Sequence, residues 1–460
     1  MTRYLKVFIY AFFLLLLIVA FNAITDPYGI YQLVRIDDIN WPKSEMVKNV
    51  KMHKAYRVAK IKPEAVILGT SRSAFGIDPE HEAWGSARPV YNLSLAGAGP
   101  YVTERFLEHA QSVNPLKKLV YGLDFFTFNV KRPITPDYNG DFLLVDDEGK
   151  SNKFFSLKIM SASLLSTDAL SASMTTLTST GKKPIMIDGK GMFIGATWKN
   201  HLRDAFVNME QLYLKYVYLS GTKREYAFSD PDSGNSSLED FRKLVIFCRD
   251  NGIDAYYFIS PPHAQQLEVI RTLGLWPLFE QWKREIVGIL EQEGINNLLW
   301  DFSGYNSVTT ADISQPGDNF YRDSTHYNPA AGNLILSRIF RFLDNEVPDD
   351  FGVALNPGNI EQQLASIRTD QKRYHDLYPD NVLEIEQMAQ QAGVDKKDIV
   401  IRLASSDSKA RWFRSQHRDS PVSKALRDYE SGLSLEAIYQ KYGITEEIFS
   451  TWKTKHDKHM

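Results

Sequence analysis

The chain has 460 residues, 43% hydrophobic and 24% charged, with a formal net charge of −3 and a single cysteine, Cys248. This composition excludes disorder as the main state, an intramolecular disulfide framework and a Cys-based zinc cluster, so stability has to come from buried apolar surface. The near-neutral balance also speaks against a chain that mainly coats nucleic acid.

The most uneven stretch comes first. From Val7 to Phe21 every residue is apolar or aromatic, and the run reaches Ile24 with only Asn22 interrupting it, about the length a helix needs to cross hydrocarbon. Arg3 and Lys6 precede the run, whereas residues 22–33 carry only Asp26 as a charge. The positive-inside rule therefore puts the amino terminus in the cytoplasm and the remaining chain across the membrane. A cleaved signal peptide is the competing reading, but the flank Ala20-Phe21-Asn22-Ala23 offers no clean small-x-small site, which favours a retained anchor over residues 1–25.

Beyond the anchor, strands predicted at 65–68, 90–93, 118–125, 254–259 and 297–301 alternate with helical patterns, clearest at 101–111, 238–250 and 278–293. Gly252 and Gly294 stand where helix C-terminal glycines are expected. The alternation predicts an α/β fold, a parallel sheet with crossover helices. Between 129 and 235 it fails: a Pro- and Gly-punctuated stretch, a Ser/Thr/Leu-rich segment at 161–180 and a helix near 204–219 form an insertion, read as a lid over a site or as a surface embellishment. A last helix follows at 329–343. Pro348 and Pro357 frame Gly352 and Gly358 as a linker, so the expected domains are 26–348, with its core over about 50–346, and a helical domain over 349–460. Cys248, among Val245, Ile246 and Phe247, reads as core.

The first strand runs into Gly69-Thr70-Ser71-Arg72-Ser73, where a glycine lets the chain turn and leaves Ser71 at the carboxyl edge of the sheet, the place where α/β sites form. An ordinary turn with a helix cap explains the same residues. Far away in sequence, Asp323-Ser324-Thr325-His326 stands directly before the last helix. A carboxylate there can orient the imidazole while the other ring nitrogen takes a proton from a serine hydroxyl; alternatively, Asp323 caps the helix and His326 is a satisfied histidine. His263, after Ser260-Pro261-Pro262 at another strand end, is expected on the same rim as a substrate contact or as part of a rigid turn. Arg72 either holds an anionic substrate group or pairs with a carboxylate.

Taken together, these blocks resemble the SGNH (GDSL-like) hydrolase family. The resemblance implies a flavodoxin-like parallel sheet in a three-layer α/β architecture, with Ser71 as nucleophile and Asp323 and His326 completing the triad. Tyr91-Asn92-Leu93-Ser94-Leu95-Ala96-Gly97 is similar to the family's second block and implies an oxyanion hole from the backbone N–H groups of Ser71 and Gly97. The third block departs from the pattern: Gly122-Leu123-Asp124 places Asp124 where the family's asparagine amide donates, and an ionised carboxylate cannot donate. Either Asn129 or Asn92 then supplies the amide or the third donor is missing, and Asp124, Arg72 and His263 are assigned to substrate binding. No cofactor or metal is implied. With the anchor, Asp26-Pro27-Tyr28-Gly29 and the late Asp-x-x-His-Tyr, the chain is most similar to the membrane-anchored members that modify bacterial polysaccharide. That implies a single-pass inner-membrane protein, mostly periplasmic, transferring or removing acyl groups, often acetyl, on cell-surface polysaccharide, with polysaccharide-assembly proteins as possible partners.

The carboxy-terminal segment 434–452 resembles a helix-turn-helix, with Ser434 and Thr445 as caps and Gly443 at the turn; a weaker copy lies about 50 residues earlier, from Ile385 to Ile399. Residues 421–460 carry six Lys/Arg and six Asp/Glu, a weak footprint for phosphate binding. A tandem interaction module is therefore favoured over a nucleic-acid partner. Two readings from other classes stay open, a non-catalytic glycan-binding assembly partner and a membrane-tethered DNA-binding protein.

Overall fold

A computed structural model describes residues 2–135, 137–179, 184–195, 202–219, 224–295, 299–314, 320–394 and 399–402, together with Leu435. The chain divides into two compact units, Met1–Ile401 and Arg402–Met460. Of the 434–452 helix-turn-helix segment, all but Leu435 lies outside the described residues, as does Asp395 of its weaker copy.

The first unit is built on a six-stranded sheet of β1 (Ala65–Leu68), β2 (Val90–Asn92), β3 (Lys118–Leu123), β4 (Asp254–Ile259), β5 (Leu299–Asp301) and β6 (Val353–Leu355). Their order across the sheet is β2-β1-β3-β4-β5-β6, parallel except for the β5–β6 pair. This is a doubly wound order, in which the chain leaves β1 to one side and returns to its other side, so a crevice opens where the direction reverses.

Alternating side chains build one core on each face. Val66, Leu68, Leu119 and Tyr121 enter the larger core, while Ala65, Ile67 and Val120 enter the other. The larger core is covered by α2 (Val50–Ile61), α4 (Pro100–Val113), α8 (Ser237–Asp250) and α10 (Trp276–Gln292), with Cys248 buried in it. The opposite face is covered by α11 (Pro329–Phe340), through Ala331, Ile335, Leu336 and Ile339. The register sets Leu123 beside Ile259 and Ile259 beside Asp301, so several strands end on one rim.

The boundary expected at residue 348 is displaced. The Gly- and Pro-framed stretch holds β6, which extends the sheet; α12 (Ile360–Leu377) packs on α10, and α13 (Pro379–Gln391) packs on α9 (Ala264–Thr272). Leu364, Ile385 and Met388 are part of the larger core, with Val394 and Ile399 against it. The weaker helix-turn-helix copy is thus a buried wall of the α/β unit, because its apolar positions are used up by the sheet domain.

At the other end, α1 (Thr2–Thr25) is long and apolar enough to cross a membrane. It stops where Pro27 has no N–H to continue it, and its final carbonyls are taken by side chains: Asn40 Nδ2 donates to Ile24 O and Lys43 Nζ to Thr25 O, both at 2.8 Å. The Asp26 carboxylate accepts from the N–H groups of Ile30 and Gln32, which fixes the turn out of the helix. Within the 129–235 insertion, α5 (Phe155–Leu164) and α6 (Thr167–Leu177) pack on α1, and α7 (Leu202–Leu212) packs on α9 and α13.

Candidate active site

Ser71 opens α3 (Ser71–Gly76) immediately after β1. Gly69 makes that turn possible: it has φ +145°, and a Cβ there would lie 2.4 Å from Ser73 Oγ. Thr70 caps α3 by accepting from the N–H of Arg72 at 3.2 Å. As the first residue of a helix, Ser71 keeps a backbone N–H with no intrahelical acceptor.

The Asp323 and His326 block is a tight loop closed by the Tyr321–Tyr327 bridge and by the Arg322 N–H donating to His326 O at 2.8 Å. Tyr321 Oη donates to Pro261 O, which pins the loop to the end of β4. Asp323 Oδ1 accepts from the N–H groups of Thr325 and His326, both at 2.9 Å, and Oδ2 faces His326 Nδ1 at 2.8 Å. Burial alone raises the Asp323 pKa, but His326 and these two N–H groups outweigh it and hold the carboxyl below its ordinary range. A carboxylate only accepts, so Nδ1 carries the proton and Nε2 is left as an acceptor. Nε2 lies 2.8 Å from Ser71 Oγ. Two residues 255 positions apart are therefore in hydrogen-bond contact, both half-buried at the rim, with the carboxylate buried behind them.

The other expected site residues fall differently. Arg72 and Asp124 turn inward and meet as a buried ion pair at 2.7 Å. Asp124 also accepts from Thr70 Oγ1 at 2.5 Å, and Arg72 donates through Nε to Thr325 Oγ1 at 2.8 Å. Burial opposes the Arg72 charge, but Asp124, Tyr213 and Tyr218 overcome that penalty and raise its pKa. Neither residue faces outward as a substrate contact; together they tie the ends of β1 and β3 to the Asp–His loop.

Asn129 does not face the site either. Its amide donates to Tyr218 O and Glu225 O, at 3.0 and 2.9 Å, so it has no N–H left for an oxyanion. Asn92 is spent in the same way on Ser73 O and Ile77 O. His263 is buried: Nδ1 accepts from the Gln265 N–H and Nε2 faces Ala311 O at 3.2 Å. Desolvation lowers its pKa to about 4, so it is a neutral helix cap rather than a substrate contact. Its backbone N–H, donating to Ser324 O at 3.0 Å, helps hold the Asp–His loop.

Gly97 lies on the loop after β2 with φ +65°, and its N–H makes no backbone hydrogen bond among the described residues. Two basic residues that the sequence reading passed over bear on this loop. Lys54 is buried in α2 and donates to Asn92 O and Ser94 O, at 2.8 and 2.7 Å, fixing the chain that leads to Gly97. Arg132 stacks its guanidinium 4.9 Å from the Phe126 ring centre, and its Nη2 is 3.7 Å from where a Gly97 Cβ would stand. Burial lowers the Arg132 pKa, with the Tyr213 and Tyr226 hydroxyls opposing it.

The insertion supplies a wall. A hairpin of Met186–Ile187 and Phe193–Ile194 brings Phe193 edge-on to Phe75, whose ring in turn meets His326 at 5.3 Å. Gly195 O accepts from Arg322 Nη2 at 2.6 Å. Among the described residues no group of three or more His, Cys, Asp or Glu is arranged to hold a metal ion. No protein-family model matches the chain, and no curated protein does either.

Proposed function

We propose that this chain is a membrane-anchored serine esterase or O-acyltransferase of the SGNH type. It acts on acyl groups, acetyl foremost, of cell-surface polysaccharide, with most of the chain on the periplasmic side of a bacterial inner membrane. The observation that carries this reading is the continuous relay from Asp323 through His326 to Ser71, with both hydrogen bonds at 2.8 Å. A serine hydroxyl is a weak nucleophile at neutral pH, and a base held this close, with its tautomer fixed from behind, is the arrangement that activates it. The doubly wound strand order supports the family reading, because it puts Ser71 at the reversal of the sheet.

Ser71 Oγ attacks the ester carbonyl as its proton passes to His326 Nε2, and Asp323 stabilises the imidazolium. The N–H groups of Ser71 and Gly97 bind the oxyanion, and the Arg132 cation beside Gly97 supplies positive charge where Asp124 cannot donate. His326 then gives the proton to the leaving sugar oxygen as the C–O bond breaks, leaving an acyl-serine. Water or another sugar hydroxyl, deprotonated by His326, attacks the acyl-serine and regenerates Ser71.

The test is hydrolysis of a small acetyl ester by the purified full chain, with and without an oligosaccharide acceptor. Ser71→Ala is expected to lower kcat by about three orders of magnitude or more, and Arg132→Ala by about ten- to a hundredfold. Unchanged turnover in Ser71→Ala removes Ser71 from the mechanism.

A further inference from the structure

The foot of α1 is sheathed by the insertion. Asn22, the one polar residue inside its apolar run, is fully buried: its Nδ2 donates to Leu164 O of α5 at 2.9 Å, and its Oδ1 accepts from Ser173 Oγ of α6 at 2.8 Å. On a third side, Asn40 joins Ile24 O to Val34 O and so pins the loop 33–39 to the end of α1. The inner side of α5 packs through Ile159, with Ala169 and Ala172 of α6, on Tyr28, Ile30 and Met52.

The outer side of this sheath mixes exposed apolar side chains with the charged Arg35, Asp37, Asp38 and Lys158. Phe154, Leu157, Met160 and Leu165 stand exposed along and beside α5, Phe154 at 66% and Leu157 at 61%, and Leu33, Val34, Ile36 and Ile39 stand exposed on the pinned loop. Eight exposed large apolar side chains on two short segments are unusual for a face in water, and charges interspersed with them suit the headgroup level of a bilayer.

Helix length identifies what covers it. Every described residue of α1 from Arg3 to Leu17 is exposed; from Ile18 onward burial sets in, complete at Asn22 and Thr25, with Ala20 and Ile24 still open on one side. The bare apolar stretch from Val7 to Leu17 rises about 17 Å, whereas the hydrocarbon core is about 30 Å thick and needs roughly 20 helical residues. Hydrocarbon that starts at Val7 therefore continues past Ile18 and down to the level of Asn22 and Ile24, where α5, α6 and the 33–39 loop surround the helix.

We propose that the outer face of α5 and the 33–39 loop form a collar seated in the acyl-to-headgroup boundary of the bilayer that α1 crosses. The collar explains both the exposed apolar side chains of the outer face and the burial of Asn22, whose amide is satisfied by protein at a depth where water is scarce. It holds the domain at a fixed height and tilt on the membrane, beyond what a single-helix tether provides. This inference rests on the reading that α1 spans the membrane.

Spin labelling separates the two, because the only native cysteine, Cys248, is buried. The full chain carrying Leu157→Cys, Leu165→Cys or Val34→Cys, each labelled with a nitroxide and reconstituted into phosphatidylcholine–phosphatidylglycerol vesicles, is compared with Leu14→Cys and with Leu377→Cys, an exposed position on α12. Collisions with oxygen, which concentrates in lipid, are expected to exceed those with a water-soluble nickel complex several-fold at 14, 34, 157 and 165, with the reverse at 377. Nickel-dominated collisions at 34, 157 and 165 with oxygen-dominated collisions at 14 overturn the collar alone. Nickel-dominated collisions at 14 as well overturn the membrane-spanning reading together with the collar.

Discussion

At the scale of single residues, the Ser71–His326–Asp323 geometry depends on side chains that hold other side chains. Arg72 and Asp124 are both almost wholly buried, and between them they bond Thr70, which precedes Ser71, and Thr325, which precedes His326. Removing one member leaves the other charge buried without its counter-ion, which typically costs about 3–5 kcal/mol. Asp124→Ala is therefore expected to lower the unfolding free energy by that amount in urea titrations. The partial rescue expected of an added Arg72→Met change would identify the stranded cation as the source of the loss. The meeting of Ser71, His326 and Asp323 was legible in the sequence from the order of the blocks, a serine at a strand end and a late Asp-x-x-His before a helix, although each block alone also fits a turn or a helix cap. The inward turn of Asp124 and Asn129 was not legible, and the choice between the two readings open for Arg72 and for His263 was not either, since a polar residue at a strand end has the same local pattern whether it faces substrate or a buried partner. Lys54 and Arg132 left no local signal either: their importance comes from what they touch across the fold, Asn92 and Ser94 for one, Phe126 and Gly97 for the other.

At the scale of elements, the strands in the middle of the sheet were readable from their apolar runs, and β1 and β4 have the bounds their composition predicts. The short edge strand β6 was hidden, because three residues between glycine- and proline-rich turns look like a linker until a neighbour pairs with them. β6 pairs with β5 through Leu355 and Leu299, and α12 covers α10 through contacts that include the Arg368–Glu280 ion pair. A chain ending at residue 348 loses both coverings and exposes the edge of β5. It is expected to recover from the membrane as aggregate, or to elute in the void on size exclusion, whereas a chain ending at 401 keeps a cooperative thermal transition. A well-folded 1–348 chain restores the boundary at 348.

At the scale of the whole molecule, buried titratable groups pull stability in opposite directions with pH. His53, His109 and His263 have pKa values lowered by burial to about 3, 4 and 4. Their contribution is complete above the unfolded value near 6.5 and is lost as pH falls towards 4. Glu104 and Glu210 have pKa values raised by burial to about 7, with Asp323 adding to the rise at Glu210 and Arg203 opposing it. Their contribution is complete below the unfolded value near 4.5 and is lost as pH rises through 7. Stability is thus expected to peak between about pH 6 and 7. Glu210→Gln should remove part of the alkaline limb, gaining about 2–3 kcal/mol at pH 8 and nothing at pH 4.5. Thermal midpoints of both chains across pH 4–9 check this, and parallel curves count against a neutral Glu210.

The relay from Asp323 to Ser71 is the centre of the functional reading, and covalent labelling addresses it most directly. Intact-mass analysis after exposure of the full chain to a fluorophosphonate is expected to show one adduct, mapped to Ser71, absent in Ser71→Ala and strongly slowed in His326→Ala. A folded wild-type chain that takes up no label, or a label that persists in Ser71→Ala, contradicts a serine nucleophile at this site.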